Sequence, residues 1–335
     1  MSDESLLPYP WQKSDWSKLS HQNANERLAH AYLVYGSAGI GKFDFILRFS
    51  KYLLCSSPSK NAACGKCINC RLHASAHPNI KLLKPENNSS EIKIDQIRYL
   101  TEFFNKTSHS EGFKISIIND ADRLNINSTN ALLKTLEEPS GASILFLCSS
   151  LPGQLSPTLR SRCQEFSMNQ PNRNETLDWL KENSSKPIDI NVLSRTTENG
   201  PLEILDLIES GQLEKQHAFL ESFLNLLKGS SNIQSVTNAA CELGERQSVN
   251  VLMKFFSKTI VMFFSNGGMN SDQSEKRFIE ILKESSLTRR DLALRLFRYY
   301  DQVAQAYEEL GSSSNLSSQL IIESLIWRGS QLDLN

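Results

Sequence analysis

The sequence has no long apolar run and no excess of charge of either sign. Stretches such as Ile260–Phe264 are far too short to cross a bilayer, which takes about 20 apolar residues. Lys and Arg number 36 and Asp and Glu 37, so the whole chain offers no positive field for nucleic acid or an anionic membrane. The N-terminus also lacks the basic start and apolar stretch of a secretory signal. We therefore expect a cytoplasmic protein with no membrane partner.

Length and cysteine content indicate several domains and a reducing environment. A chain of 335 residues exceeds the size at which a single core stops growing, so two or three domains are expected. Seven cysteines is an odd number, and in the cytoplasm clustered cysteines indicate metal binding while scattered ones indicate packing. Four of the seven lie close together in the sequence.

Strands and helices alternate in the first half of the chain. Buried-strand runs are predicted at Ala31–Tyr35, Ile80–Leu83, Lys114–Ile118 and Ile144–Cys148, with helices between them at 43–54, 94–104 and 128–138. Such alternation is typical of a parallel α/β domain. Beyond residue 170 strand signals nearly vanish. Short helices are predicted at 175–181 and 201–209, and longer amphipathic helices from about 212 onward, which predicts a helical bundle.

A glycine-rich loop follows the first strand and matches a P-loop except at its last position. Gly36, Gly39, Gly41 and Lys42 have the spacing that lets backbone amides and a lysine hold phosphates. The next residue is Phe43 in place of Ser or Thr, and it has no hydroxyl for Mg²⁺. A plain glycine turn is the structural alternative. The residues leave open whether ATP or ADP still binds.

The strand Lys114–Ile118 is followed by acids, as in the metal-binding strand of an ATPase. Asp120 stands where a magnesium ligand is expected, but Ala121 replaces the carboxylate that would polarise the attacking water. Asp122 is a possible substitute, although an acid that only solvates a loop is the more common case. The residues at both positions, Phe43 and Ala121, therefore disfavour ATP hydrolysis.

Four cysteines interrupt the α/β pattern, with the spacing C-x8-C-x2-C-x2-C: Cys55, Cys64, Cys67 and Cys70. Closely spaced cysteines on turns supply the four converging thiolates of a tetrahedral zinc site. Four free thiols are the alternative, and His73 and His77 are possible competing ligands. We predict a structural Zn²⁺ site closed by the four cysteines, with no open position for catalysis.

Arg160 and Arg162 flank a serine after the last predicted strand of the α/β domain. Taken alone, such a pair is usually a solvated helix end. A guanidinium offered to a phosphate is the functional alternative.

Taken in order, these features resemble the clamp-loader subunits of bacterial DNA polymerase III over residues 20 to 170. The segments that carry the resemblance are Arg27–Ala31, the glycine loop, the cysteine cluster, His77–Asn79, Asp95–Arg98, Asp120–Leu124, Asn130–Pro139 and Ser161–Cys163. Most are shared with the ATP-hydrolysing gamma/tau type. Phe43 and Ala121 instead resemble the delta-prime type, whose ATP site is degenerate. No arginine stands near Gly200–Leu202, where an active member carries one.

The resemblance implies the architecture and the partners. It implies an α/β AAA+ domain of P-loop type with a parallel sheet and a zinc insert at 55–70 (1–168), a small helical lid (169–209) and an all-α collar (210–335), whose closing helix follows Asn315. It also implies that Arg162 serves as an arginine finger for a neighbouring subunit. Gamma/tau and delta subunits would be the partners in a ring that acts on the sliding clamp and primer-template DNA. An ATP-hydrolysing gamma/tau-type subunit and a zinc-dependent DNA-binding module are the alternatives.

Overall fold

The computed structural model describes residues 6–59, 62–86, 91–105, 112–139, 141–188, 199–265, 272–310 and 317–332. The chain divides into two compact units, one of Met1–Trp179 with Glu198–Ile204 and one of Leu180–Thr197 with Leu205–Asn335. The segment 169–209, which the sequence predicts as a separate lid, is divided between the two units. The boundaries of the three-domain organisation stay a prediction, and Asn315, where the closing helix is predicted to begin, lies outside the described residues.

The first unit is built on a parallel sheet of five strands. Its strands are β1 (Ala31–Tyr35), β2 (Ile80–Leu83), β3 (Lys114–Ile118), β4 (Ser143–Ser149) and β5 (Gln164–Ser167), in the order β2-β3-β4-β1-β5. The helices are α1 (Lys13–Ala24), α2 (Lys42–Leu54), α3 (Ile68–Arg71), α4 (Ile94–Asn105), α5 (Ile126–Glu137) and α6 (Pro157–Arg160). Helices α7 (Arg173–Asn183) and α8 (Pro201–Glu209) follow. The predicted parallel α/β domain is confirmed.

Alternation along the strands sorts their side chains into two cores. Tyr32 and Val34 of β1 face one side of the sheet and pack with Phe45 and Phe49 of α2. Residues of opposite parity, such as Leu33, face the other side and pack with α4 and α5. Both faces are therefore covered by helices, which is why the strands read as continuous apolar runs in the sequence.

Four elements of this unit are absent from the sequence predictions: strand β5, helix α1 and the four-residue helices α3 and α6. Strand β5 has only four residues, and of these only Phe166 is buried, because β5 is an edge strand whose other side chains face solvent. Helix α1 carries few apolar positions, chiefly Trp16 and Leu19, so its periodicity is weak. In addition, α5 begins at Ile126, earlier than predicted, because the Asn125 side chain accepts the Ser128 N–H and caps the helix.

The second unit is helical, as predicted. Its longer helices are α9 (Gln212–Leu227), α10 (Ile233–Leu243), α11 (Glu245–Ser265), α12 (Gln273–Glu284), α13 (Arg289–Glu309) and α14 (Ser318–Ser330). Aromatic rings dominate its core, with Phe223, Phe256, Phe278 and Tyr299 fully buried in contact with one another. Among the described residues of the whole chain, no helix combines the length and apolar character needed to cross a bilayer.

Candidate functional site: a closed P-loop, a four-cysteine cluster and an arginine pair

The glycine loop joins the carboxyl end of β1 to the N-terminus of α2, as the sequence predicts. Gly39 (φ 73°) and Gly41 (φ 79°) adopt left-handed conformations that other residues rarely adopt. Gly36 has no room for a side chain, since a Cβ there would lie 2.6 Å from the Ile40 side chain. The amides of the first turn of α2 have no partner within the helix, so the loop keeps the form of a phosphate cradle.

Lys42 is turned onto the loop itself. Its Nζ donates to the carbonyl oxygens of Gly36 (2.9 Å) and Ser37 (2.8 Å) and to the hydroxyl of Ser150 (2.9 Å). Burial lowers the pKa of Lys42, and the acidic groups of Cys148, Asp122, Asp120 and Glu203 oppose that fall. All three hydrogen atoms of the ammonium therefore have acceptors supplied by the protein.

The two positions that depart from an active ATPase are occupied by apolar residues. Phe43 is partly buried and packs against the apolar core beneath α2, and its ring supplies no hydroxyl. Ala121 is fully buried in the core on the opposite face of the sheet. Both substitutions serve packing and supply no group for Mg²⁺ or water activation.

Asp120 and Asp122 have different surroundings. Asp120 has a left-handed backbone (φ 54°), and burial followed by the neighbouring charge of Asp122 raises its pKa. Asp122 accepts hydrogen bonds from the Ser149 hydroxyl (2.7 Å) and from the Ser150 N–H (3.3 Å), both at the end of β4. The interpretation of Asp122 as an acid that only solvates a loop is wrong, because it ties β3 to β4.

A second segment of the chain lies against the loop. The Gly200 N–H donates to the Ala38 carbonyl (2.8 Å) and the Leu202 N–H to the Gly39 carbonyl (3.0 Å). One Glu203 carboxylate oxygen is buried here and has no hydrogen-bond partner within the part of the chain that the structure describes. The sequence shows only that arginine is absent near Gly200. The carboxylate three residues after that glycine lies in the first turn of α8, and no local pattern marks it as part of the site.

The N-terminal segment covers the start of α2. The Trp11 indole N–H donates to the Ile40 carbonyl (3.0 Å), and the Gln12 amide donates to the same oxygen (2.8 Å). The Arg48 guanidinium lies over the Tyr9 ring, 4.1 Å from its centroid. These contacts shield the turn that connects the loop to α2, and their partners are too distant in sequence for local patterns to reveal.

The four predicted zinc ligands converge. The ligand atoms of Cys55, Cys64, Cys67 and Cys70 all lie within 4.8 Å of one another. Individual Sγ–Sγ distances are 3.4 Å for Cys67–Cys70, 3.9 Å for Cys64–Cys70 and 4.0 Å for Cys67–Cys55. Sulfurs about 2.3 Å from a tetrahedral zinc lie about 3.8 Å apart, so the cluster has the dimensions of a metal site.

Local structure holds these sulfurs in place. Cys55 directly follows α2 and Cys67 directly precedes α3. Backbone N–H groups donate to the sulfurs. The Cys64 N–H, for example, donates to Cys55 Sγ (3.2 Å). Burial opposes ionisation of Cys67, but N–H donors from Ser56 and Cys70 outweigh it and lower the pKa of that thiol to about 6. Burial raises the pKa of Cys70 to about 12. A cation at the centre would favour the thiolate form of all four.

The two histidines stand apart from the cluster. His73 bonds Ser75 through Nδ1 at 2.8 Å, and His77 accepts the Asn79 N–H through Nδ1 at 3.1 Å. Among the described residues, the group of side chains that could hold a metal ion includes the four cysteines and neither histidine.

Arg162 is anchored next to the edge of the sheet. It precedes the edge strand β5, and its Nε and Nη2 lie 2.9 and 2.6 Å from one carboxylate oxygen of Glu137. Its Nη1 donates to the Thr158 carbonyl at 3.0 Å. The side chain remains about one-third exposed. Arg160 pairs separately with Glu165 at 2.8 Å, so each arginine has its own carboxylate.

Comparisons with known proteins find a matching family model and several relatives. A family model described as "DNA polymerase III, delta subunit" matches residues 11–172. DNA polymerase III subunit delta' of Pseudomonas aeruginosa is 37% identical over 223 residues, which are 66% of this chain and 67% of that protein. The corresponding protein of Escherichia coli is 36% identical over 173 residues, or 51% of this chain and 52% of that protein.

A gamma subunit is also similar, but less so. DNA polymerase III subunit gamma of Buchnera aphidicola is 27% identical over 215 residues, covering 63% of this chain and 56% of that protein. The degenerate loop, the buried Ala121 and the higher identity to delta-prime subunits lead to the same assignment. The chain belongs to the family of DNA polymerase III delta-prime subunits.

Proposed function

We propose that this chain acts in the clamp loader as a AAA+ subunit with an impaired ATP site, supplying Arg162 in trans and helping to load the sliding clamp on primed DNA. The observation that carries the proposal is that the chain keeps the framework of an ATP site while Phe43 and Ala121 replace both catalytic groups with apolar side chains. The same two residues disfavour an ATP-hydrolysing gamma/tau-type role.

The partners follow from the family. The chain would work in the cytoplasm, in a hetero-oligomeric ring with gamma/tau and delta subunits, and would reach the clamp and primer-template DNA through that complex. The helical segment 210–335 would form the collar that joins the subunits, and 169–209 would form the lid. Near-neutral net charge agrees with contact to DNA through the assembled complex.

The four-cysteine cluster would hold one structural Zn²⁺. Four thiolates satisfy a tetrahedral ion completely and leave no position for a substrate or water. Zinc would stabilise the segment 55–70, where few large apolar side chains are available: Cys55, Ala63 and Cys70 form its small core.

Arg162 would act on ATP bound to an adjacent gamma/tau subunit. Phosphoryl transfer spreads negative charge over the γ-phosphate oxygens, and a guanidinium stabilises that charge with parallel donors that lysine cannot reproduce. The guanidinium has five N–H donors, and its contacts with Glu137 and Thr158 do not use them all. Partial exposure leaves the remaining donors accessible to a ligand from outside the chain.

The test is Arg162→Lys in a complex reconstituted with gamma and delta subunits, the clamp and primed DNA. Fingers supplied in trans contribute about 10³ to 10⁵ in rate, so the part of the DNA-dependent ATPase that depends on this interface should fall sharply. Assembly, measured by size-exclusion chromatography, and zinc content should stay unchanged.

Arg160→Lys is the matched control, because it makes the same replacement two residues away on a guanidinium with its own partner. It should retain the full rate. Equal ATPase and clamp loading by Arg162→Lys and the unmodified chain would rule out the finger and leave the pair as a solvated helix end.

A further inference from the structure

The P-loop of this chain is covered by its own backbone. The hydrogen bonds from Gly200 and Leu202 to the carbonyls of Ala38 and Gly39 hold the segment 200–203 on top of the loop. The approach is so close that a Cβ at Gly200 would lie 2.3 Å from the Gly39 carbonyl carbon. A Cβ at Gly39 would likewise lie 2.5 Å from the Glu203 Cβ. The two glycines therefore permit a backbone contact that any side chain would prevent.

This contact brings a carboxylate to the loop. The Glu203 main chain lies directly against Gly39, and its Oε2 is buried without a hydrogen-bond partner among the described residues. A buried carboxylate oxygen with no donor is costly unless a positive charge compensates it. Lys42 is the lysine of this loop, and Glu203 is one of the acids whose charge acts on it.

A nucleotide would meet several obstacles in this arrangement. Its phosphates would have to replace the three oxygens that Lys42 already contacts. They would also approach the carboxylates of Asp120, Asp122 and Glu203, all of which act electrostatically on Lys42. Asp120 and Asp122 belong to the strand end that an ATPase of this fold keeps. Glu203 is an additional negative charge close to the loop.

We propose that Glu203 excludes nucleoside triphosphates from the P-loop of this chain. Its carboxylate contributes the negative charge that a bound phosphate would otherwise contribute, and α8 keeps it there through the backbone contacts of Gly200 and Leu202. The proposal concerns binding and does not depend on the chain's role in a clamp loader. It also differs from the loss of hydrolysis at Phe43 and Ala121, since an enzyme without those groups still binds nucleotide.

The test is a titration of a fluorescent N-methylanthraniloyl ATP into the purified full-length chain, followed by fluorescence anisotropy, with and without Mg²⁺. The unmodified chain should show no saturable binding. Glu203→Gln keeps the size of the side chain and removes its charge, so it should bind at least about tenfold more tightly, since like charges in a partly buried site repel more strongly than in bulk water. Glu203→Arg should bind more tightly still.

Asp206→Asn is the matched control. It removes the same charge from an exposed position on the same helix and should behave as the unmodified chain. Adding Lys42→Ala to Glu203→Gln should abolish the binding gained, which would locate the nucleotide at the P-loop. Thermal unfolding by circular dichroism identifies any variant that fails to fold.

Two outcomes would overturn the proposal. If the unmodified chain binds the nucleotide as tightly as Glu203→Gln, Glu203 excludes nothing. If folded Glu203→Gln and Glu203→Arg both fail to bind, the backbone contacts and Phe43 suffice to close the loop and the carboxylate has no role in exclusion.

Discussion

Cys67 is the cysteine whose removal should affect the cluster most clearly. Its sulfur lies 3.4 Å from Cys70 and 4.0 Å from Cys55, so it contacts both ends of the cluster. A structural site with three ligands left binds zinc far more weakly, and binding free energy at such sites is folding free energy. We expect elemental analysis to find about one zinc per chain in the unmodified protein and less than about a tenth of that in Cys67→Ser.

Cys241→Ser provides the control for this measurement. Cys241 is an exposed free cysteine on α10, outside the cluster, and its replacement should leave the zinc content unchanged. Zinc retained in full by Cys67→Ser, or absent from the unmodified chain, would contradict the proposed site.

Glu137 should matter through Arg162. The arginine side chain loses about 2 kcal/mol of rotamer freedom when held in one conformation, and the contacts at 2.6 and 2.9 Å hold it before a neighbouring subunit arrives. In the reconstituted complex, Glu137→Ala should lower kcat of the DNA-dependent ATPase about tenfold or less, with KM for ATP unchanged.

A double-mutant cycle separates positioning from a general structural effect. If Glu137 acts only through the guanidinium, Glu137→Ala should have no further effect once Arg162 is replaced by Ala. Glu165→Ala, which removes the partner of Arg160, is the matched control and should retain the full rate. Additive losses in the cycle would show that Glu137 acts by another route.

At the scale of elements, α14 packs closely against the helical core because residue 329 is a glycine. A Cβ at Gly329 would lie 2.8 Å from the Tyr299 hydroxyl and 2.9 Å from the ring of Phe223, both fully buried. The Tyr299 hydroxyl also donates to the Leu325 carbonyl of α14 at 3.2 Å. Helix propensity favours alanine by about 1 kcal/mol, but overpacking costs about 1 to 3 kcal/mol.

We therefore expect Gly329→Ala to lower the free energy of unfolding by about 1 kcal/mol, measured by urea denaturation. Gly153→Ala is the control, because a Cβ at Gly153 would have no heavy atom within 4 Å. A Gly329→Ala chain as stable as the control would mean that α14 shifts to accommodate the methyl group.

The elements differ in how well the sequence predicted them. Strands β1, β3 and β4 lie inside the sheet and are almost wholly buried, and the edge strand β2 is buried at both ends, so their apolar runs predict them almost to the residue. Strand β5 was overlooked because its existence depends on pairing with β1, from Tyr32↔Gln164 to Tyr35↔Ser167, and its own residues are largely polar. An edge strand is thus defined by its neighbour more than by its own pattern.

For the whole molecule, the main expectation is the absence of ATP turnover by the isolated chain. Phe43 has no hydroxyl to bind Mg²⁺, and Ala121 has no carboxylate to polarise the attacking water. Asp122 is no substitute, because its Oδ1 accepts hydrogen bonds from Ser149 and Ser150. Phosphate release by the purified chain should equal that of Lys42→Ala, with and without primed DNA. Turnover that Lys42→Ala abolishes would move the chain toward the gamma/tau type.

The sequence by itself determined the α/β class, the degenerate P-loop, the cluster of four cysteines and the arginine pair. Each depends on residues close together in the chain, where local periodicity or spacing reflects the structure directly. The prediction that Cys55, Cys64, Cys67 and Cys70 form one group is confirmed for this reason.

Only the tertiary structure decided how these groups are used. The contact between Glu203 and Gly39, the hydrogen bonds of Asp122 at the end of β4 and the pairing of Arg162 with Glu137 join positions from 25 to more than 160 residues apart. Such pairs leave no mark on local periodicity, because the sheet and the helices that bring them together form from other residues. A carboxylate in the first turn of a helix is ordinary in sequence, and only the packing of that helix against the P-loop brings it to Gly39.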